Sequence, residues 1–241
     1  MYKTIFQSFQ STKLEPEVRT HLSHVYGTLT LGAIVAATGG YVHTLDSFIH
    51  SGLFTQTATI LSLFVLYGSS DGRNHKNHQL RRLFLFLIFS FFMGCNLGPL
   101  LNKALSVNPA VVVQALLGTS IVFVCFSLSA LFAPTGHYLY LGGILYSVLS
   151  ILFWLSVSNI LFGSVLIFKV SVYVGLFMFC GFIIYDTQMI IDDVKIGNKD
   201  YVIHAVNLLV DFVAIFKRLL IILIEKEQGG GKKEKEKKKR K

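Results

Sequence analysis

The chain has 241 residues, of which 53% are hydrophobic and 15% charged, and it carries a net charge of +9. Uncharged runs of about bilayer-crossing length recur from end to end, which excludes a soluble globular domain and points to an integral membrane protein. The basic excess does not point to nucleic acid: eight Lys or Arg and two Glu fall between Lys232 and Lys241, where no soluble domain could hold such a ligand.

Residues 1–24 are polar and mixed in charge, without the apolar stretch of a cleavable signal, and are expected to form a cytosolic N-terminal segment. A multi-helix membrane domain is expected over 25–224. Its first apolar run is about Val25 to Tyr41, where Gly32, Ala36 and Gly40 recur every fourth residue and permit close helix approach. The second, Leu53 to Tyr67, is short for a span. A basic loop follows, Ser69 to Arg82, with Arg73, Lys76, Arg81, Arg82, His75 and His78. The third run, Leu83 to about Leu101, holds Gly94 and Gly98 followed at once by Pro99. A kink or break is expected there, because proline removes a backbone donor and clashes with the preceding turn. Asn96 and Asn102 flank the break and read as polar glue between helices.

The fourth run is Ala110 to Phe132. After the turn at Ala133–His137 comes the fifth, about Tyr138 to Val157, with Gly143 and Ser147 as a second small-residue face. The sixth begins near Leu161 or Val165 and reaches Ile191, and the seventh, Val202 to Ile224, is the least apolar. Residues 225–241 read as a basic, disordered tail. Cys95, Cys125 and Cys180 each lie in an apolar run without metal-like spacing and read as small hydrophobes.

Loop charges orient the chain. Nine Lys or Arg fall before the first run, between the second and third, and between the sixth and seventh, against Lys103 and Lys169 on the other side. The N-terminus is therefore expected in the cytosol. Seven full crossings would place the basic tail opposite, against the rule, unless the last segment re-enters without crossing.

Two acids sit inside the last two apolar runs, Asp186 before a short polar loop and Asp211 after it. A carboxylate within a membrane helix costs roughly 2.5–3.5 kcal/mol on insertion scales, so such an acid points to function. If the two approach closely they share a proton and titrate as a pair. Their oxygens suit a transient Ca²⁺ contact rather than storage, since Ca²⁺ takes six to eight oxygens. On the seventh run His204, Asn207, Asp211 and Arg218 follow at intervals of three, four and seven, one stripe at 3.6 residues per turn. His204 is the nearest group whose unperturbed titration lies in the physiological range. A structural reading competes: Asp211 pairs with Arg218 or a neighbour and only holds helices together, although about 10 Å along the axis separates it from Arg218. No Walker loop, HExxH or GxSxG occurs, so neither an enzyme nor a cofactor is expected.

The stretch GFIIYDTQMII from Gly181, followed by DYVIHAVNLLVDFVAIFKRLLIIL from Asp200, resembles the Bax inhibitor family, as do His21 to Tyr41, NLGPLLNKALSVNP from Asn96, and FSLSALFAPTGHYLYLGGIL from Phe126. The resemblance implies an all-α, polytopic bundle of about seven hydrophobic helices in the endoplasmic reticulum membrane. It implies a suppressor of programmed cell death associated with a passive, pH-sensitive Ca²⁺ leak, with Asp186 and Asp211 as the paired acids. The family's bacterial members have an arginine on the second span that latches one acid, and Leu53 to Tyr67 here contains no Lys or Arg. Lys238–Lys241 resembles a di-lysine retrieval signal, which works only from the cytosol. Expected partners are membrane lipids, Ca²⁺ and protons, with cell-death regulators and calmodulin-like proteins at the tail. Competing functions for the same features are a proton-coupled cation exchanger and a membrane adaptor that displays the tail.

Overall fold

In a computed structural model the chain is described over residues 15–45, 52–69, 76–134 and 136–239, the side chains of 76–78 and 230–239 excepted. The expectations for Lys3, Lys13, Arg73, His75, and the side chains of Lys76, His78 and the Lys-rich tail lie outside these residues. Eight helices and no strand occur among the described residues: α1 (Pro16–Thr44), α2 (Leu53–Gly68), α3 (Lys76–Cys95), α4 (Gly98–Val107), α5 (Ala110–Phe132), α6 (Leu141–Phe162), α7 (Val165–Lys195) and α8 (Tyr201–Lys239).

The expected all-α membrane architecture holds. Among the described residues four helices are long and apolar enough to span, α1, α5, α6 and α7, and a fifth span results if α3 and α4 are taken as one bent pair. The bend is 43° and falls where Gly98-Pro99 opens α4, as the proline predicts. Helix α2, with 16 residues, covers about 24 Å at 1.5 Å per residue, short of the bilayer core. Helix α8 carries Asp211, Lys217 and Arg218 within its apolar half. Its helix runs to Lys239.

The chain divides into two units. One comprises Leu116–Lys199 and Val210–Leu219 with the segment up to His24; the other comprises Val25–Ala115, Asp200–Leu209 and the chain from Leu220 on. In the first, α6 and α7 form an antiparallel hairpin. Its turn is set by Gly163, whose φ of 60° is the left-handed conformation that glycine adopts without a Cβ penalty, and by Ser164, whose side chain accepts from Ile167 N–H at 3.4 Å. Leu145, Leu152, Met178 and Phe182 make the buried core of this hairpin, with Leu141, Val148, Phe179 and Tyr185 packed around them. Small residues seat large ones: a Cβ on Gly142 would lie 2.7 Å from the Tyr185 ring, and one on Gly181 would lie 2.8 Å from Leu145. The expected small face through Gly143 is not used, as nothing lies within 4 Å of its Cβ position and Ser147 bonds back to the Gly143 carbonyl. The face one residue away is the packed one.

In the second unit α1 crosses α3 at backbone contact. A Cβ on Gly94 would fall 1.9 Å from the Ala36 carbonyl oxygen, and one on Gly39 would fall 2.2 Å from that of Phe91. The stripe of Gly32, Ala36 and Gly40 is thus a helix-packing face, as its spacing predicts, with Phe86 against Gly32 and Leu101 against Gly40. Helix α2 joins through Asn96, which accepts from the Thr55 hydroxyl at 2.7 Å and donates to the Thr59 hydroxyl at 2.9 Å. Outside these seams large apolar side chains such as Phe64, Trp154 and Phe177 stand exposed, as lipid-facing residues do.

Candidate functional site: a buried pair of aspartates

Helix α7 brings Asp186 into its unit four residues after Phe182, so both lie on the face that packs inward. Helix α8 brings Asp211 to the same place. Leu208, Leu209, Ile215 and Leu220 around it are fully buried, so its neighbours leave it no route to solvent along its own helix. Asp186 is 8% exposed and Asp211 3%. Each side chain is a hydrogen-bond partner of the other. Two carboxyl groups this close repel each other when both are ionised, and a proton held between them relieves that repulsion. The Asp211 Oδ2 atom is buried with no hydrogen-bond partner, and so is the Thr187 hydroxyl beside Asp186 on the chain. Buried polar atoms without a partner are uncommon in folded proteins and cost free energy. Among the described residues no cluster of three or more His, Cys, Asp or Glu could hold a resident metal.

The residues flanking Asp186 fix its position. Tyr185 lies over Gly142 of α6. Gln188, fully buried, donates from Nε2 to the Ala130 carbonyl at 2.6 Å and accepts the Gly136 N–H at 2.9 Å, tying α7 to the α5–α6 turn. Tyr185 and Gln188 thus tie α7 to α5, to α6 and to the turn between them, on either side of the acid.

The other expected site residues are distributed differently. Arg218 does not pair with Asp211: its Nη1 donates to the Ala214 carbonyl at 3.0 Å, and its guanidinium lies 4.5 Å from the centroid of Phe179. Asn207 accepts from the Tyr67 hydroxyl at 2.8 Å, joining α8 to α2. His204 is buried at 4% exposure and, with Asn207, belongs to the unit that does not hold the acid pair. The stripe on α8 is therefore one face of a helix that serves both units in turn, not one site.

A buried ion pair escaped the sequence reading. Arg82 Nη1 lies 2.5 Å from Asp200 Oδ2, while the buried Arg82 Nε and Nη2 have no hydrogen-bond partner. Asp200 also caps α8 by accepting the Ile203 N–H at 3.3 Å. Both residues look like solvated loop charges, and the one available signal was an Asp immediately before an apolar helix.

The model of a protein family described as inhibitor of apoptosis-promoting Bax1 matches residues 18–228. The chain is 40% identical over 208 residues to the Bax inhibitor 1 of Rattus norvegicus, covering 86% of each chain. It is 40% identical over 207 residues to that of Homo sapiens, again 86% of each. With the Bax inhibitor 1 of Drosophila melanogaster it shares 41% over 221 residues, 90% of this chain and 88% of the relative.

Proposed function

Because the chain belongs to the Bax inhibitor family, a family of apoptosis inhibitors, we propose that it restrains programmed cell death from the endoplasmic reticulum membrane through a passive, pH-sensitive Ca²⁺ leak at Asp186 and Asp211. The observation that carries this reading is the burial of two acids within apolar helices of one unit, with one carboxyl oxygen left open. A cation entering such a bundle has to exchange its water for oxygens, and the pair supplies them at a depth where nothing else carries negative charge along α7 or α8. With the shared proton in place the pair holds at most one charge. When the proton leaves, two adjacent charges attract a divalent ion strongly, and two carboxylates alone release it again. The N-terminus lies in the cytosol on this reading, and the basic tail presents Lys residues to anionic lipid and to calmodulin-like or cell-death partners.

The test is Ca²⁺ release from proteoliposomes holding the purified protein, followed over about pH 5 to 8, the range in which a shared proton can be exchanged. Asp186→Asn and Asp211→Asn each flatten the pH response, and the double change adds little because the residues act as a unit. Full retention of the parent's pH profile by both single variants makes the aspartates structural and ends this reading.

A further inference from the structure

Arg218 is the charged side chain that the acid pair leaves without a role. It follows Asp211 by seven residues, two turns along the same face of α8 and about 10 Å away. Its neighbours on α7 show the same offset. The guanidinium lies over Phe179, seven residues before Asp186, and beside Gly175, four residues earlier again. The seat is tight: a Cβ on Gly175 would fall 2.3 Å from Nε and 2.8 Å from Nη2 of Arg218. The acids and the arginine thus lie along one seam between α7 and α8, within one unit.

Gly175 and Phe179 fall near the middle of the long apolar stretch of α7, Val165 to Ile191, so the guanidinium lies level with the middle of that stretch. A charge at such depth is expensive and is normally neutralised by an acid. Arg218 forms no ion pair among the described residues; the Ala214 carbonyl and the Phe179 ring are what hold it. A carbonyl and a ring face stabilise a cation without cancelling its charge. If packing were the whole purpose, Leu or Met would fill the slot at lower cost, and no glycine would be needed at 175.

We propose that the Arg218 guanidinium, seated against Gly175 and Phe179, is the cation barrier of the seam that carries the acid pair, and that cations pass when it leaves this seat. The proposal rests on the ion-path reading of Asp186 and Asp211 given above. A fixed positive charge repels a divalent ion twice as strongly as a monovalent one at the same distance, so the barrier also discriminates by valence.

The experiment compares Ca²⁺ and K⁺ release from proteoliposomes for the full-length parent and for Arg218→Gln, Arg218→Lys and Gly175→Ala, each first checked for a single size-exclusion peak. Arg218→Gln is expected to raise Ca²⁺ release roughly three- to tenfold and K⁺ release by a smaller factor. Arg218→Lys, which keeps the charge and loses the planar face, gives a smaller rise than Arg218→Gln. Gly175→Ala displaces the guanidinium from its seat and also raises Ca²⁺ release, and it decides the matter if Arg218→Gln does not fold. Ca²⁺ release at or below the parent rate in the deciding variant overturns the barrier. So does an equal rise in Ca²⁺ and K⁺, the signature of loosened packing alone. If Asp186→Asn and Asp211→Asn keep the parent's flux while Arg218→Gln raises it, the barrier stands and the role of the acids fails.

Discussion

Gly94 shows how a single residue sets the distance between two helices. Its absent Cβ would occupy the position of the Ala36 carbonyl, 1.9 Å away, and neither backbone can yield without moving its whole helix. Gly94→Ala is therefore expected to force α1 and α3 apart and to destabilise the protein by about 1–3 kcal/mol, the usual cost of overpacking. Gly27→Ala on α1 is the matched control, since nothing lies within 4 Å of its Cβ position and alanine is the better helix former. Thermal unfolding in detergent checks both. A Tm for Gly94→Ala equal to that of Gly27→Ala would show that the close crossing contributes nothing. At the same scale, Gln188 explains why the acid beside it stays buried: both ends of its amide are engaged by backbone groups of another segment.

Between elements, the polar links set how helices are joined. Arg82 near the start of α3 and Asp200 at the cap of α8 form an ion pair whose side chains are 10% and 16% exposed. Breaking one partner of a buried pair typically costs about 3–5 kcal/mol, because the other charge is left uncompensated. Asp200→Asn keeps a side chain able to cap α8 but removes the negative charge, so any loss in this variant reports the ion pair and not the cap. It is expected to lower Tm clearly. The double change Arg82→Leu with Asp200→Asn removes both charges and recovers part of that loss. A double variant less stable than Asp200→Asn alone would mean that Arg82 acts through packing of its stem rather than through charge.

For the whole molecule, the open quantity is the number of crossings. Among the described residues four helices are long and apolar enough, and the bent α3–α4 pair makes a fifth if it is one span. The positive residues place Met1 in the cytosol on the charge rule. A protease-accessible tag at the N-terminus of sealed microsomes, oriented with their cytosolic face outward, is the expected result. A tag beyond Lys241 is expected to be cut as well, because the charge rule favours the same side for the Lys-rich segment. Protection of the N-terminal tag would invert the orientation, and protection of the C-terminal tag alone would mean an odd number of crossings.

The sequence by itself determined the class and the main suspects. Apolar runs pointed to an all-α membrane protein, Gly98-Pro99 named the break that opens α4, and the two acids in uncharged surroundings are both buried within one unit. Each of these follows from one segment's own composition, or from a loop too short to let neighbouring helices part. The tertiary structure decided the rest. A helix that is apolar all round has no polar side to show which face turns inward, so Gly142 rather than Gly143 proved to be the packed residue. Spacing on α8 put His204, Asn207, Asp211 and Arg218 on one stripe, yet only the arrangement of distant segments could assign Asn207 to Tyr67 and Arg218 to Phe179. Asp200 and Arg82, 118 positions apart and both loop-like in the sequence, became a buried pair for the same reason. Periodicity fixes where a side chain points on its own helix, while its partner depends on which other helix packs there, and helix-to-helix pairing is a property of the folded chain.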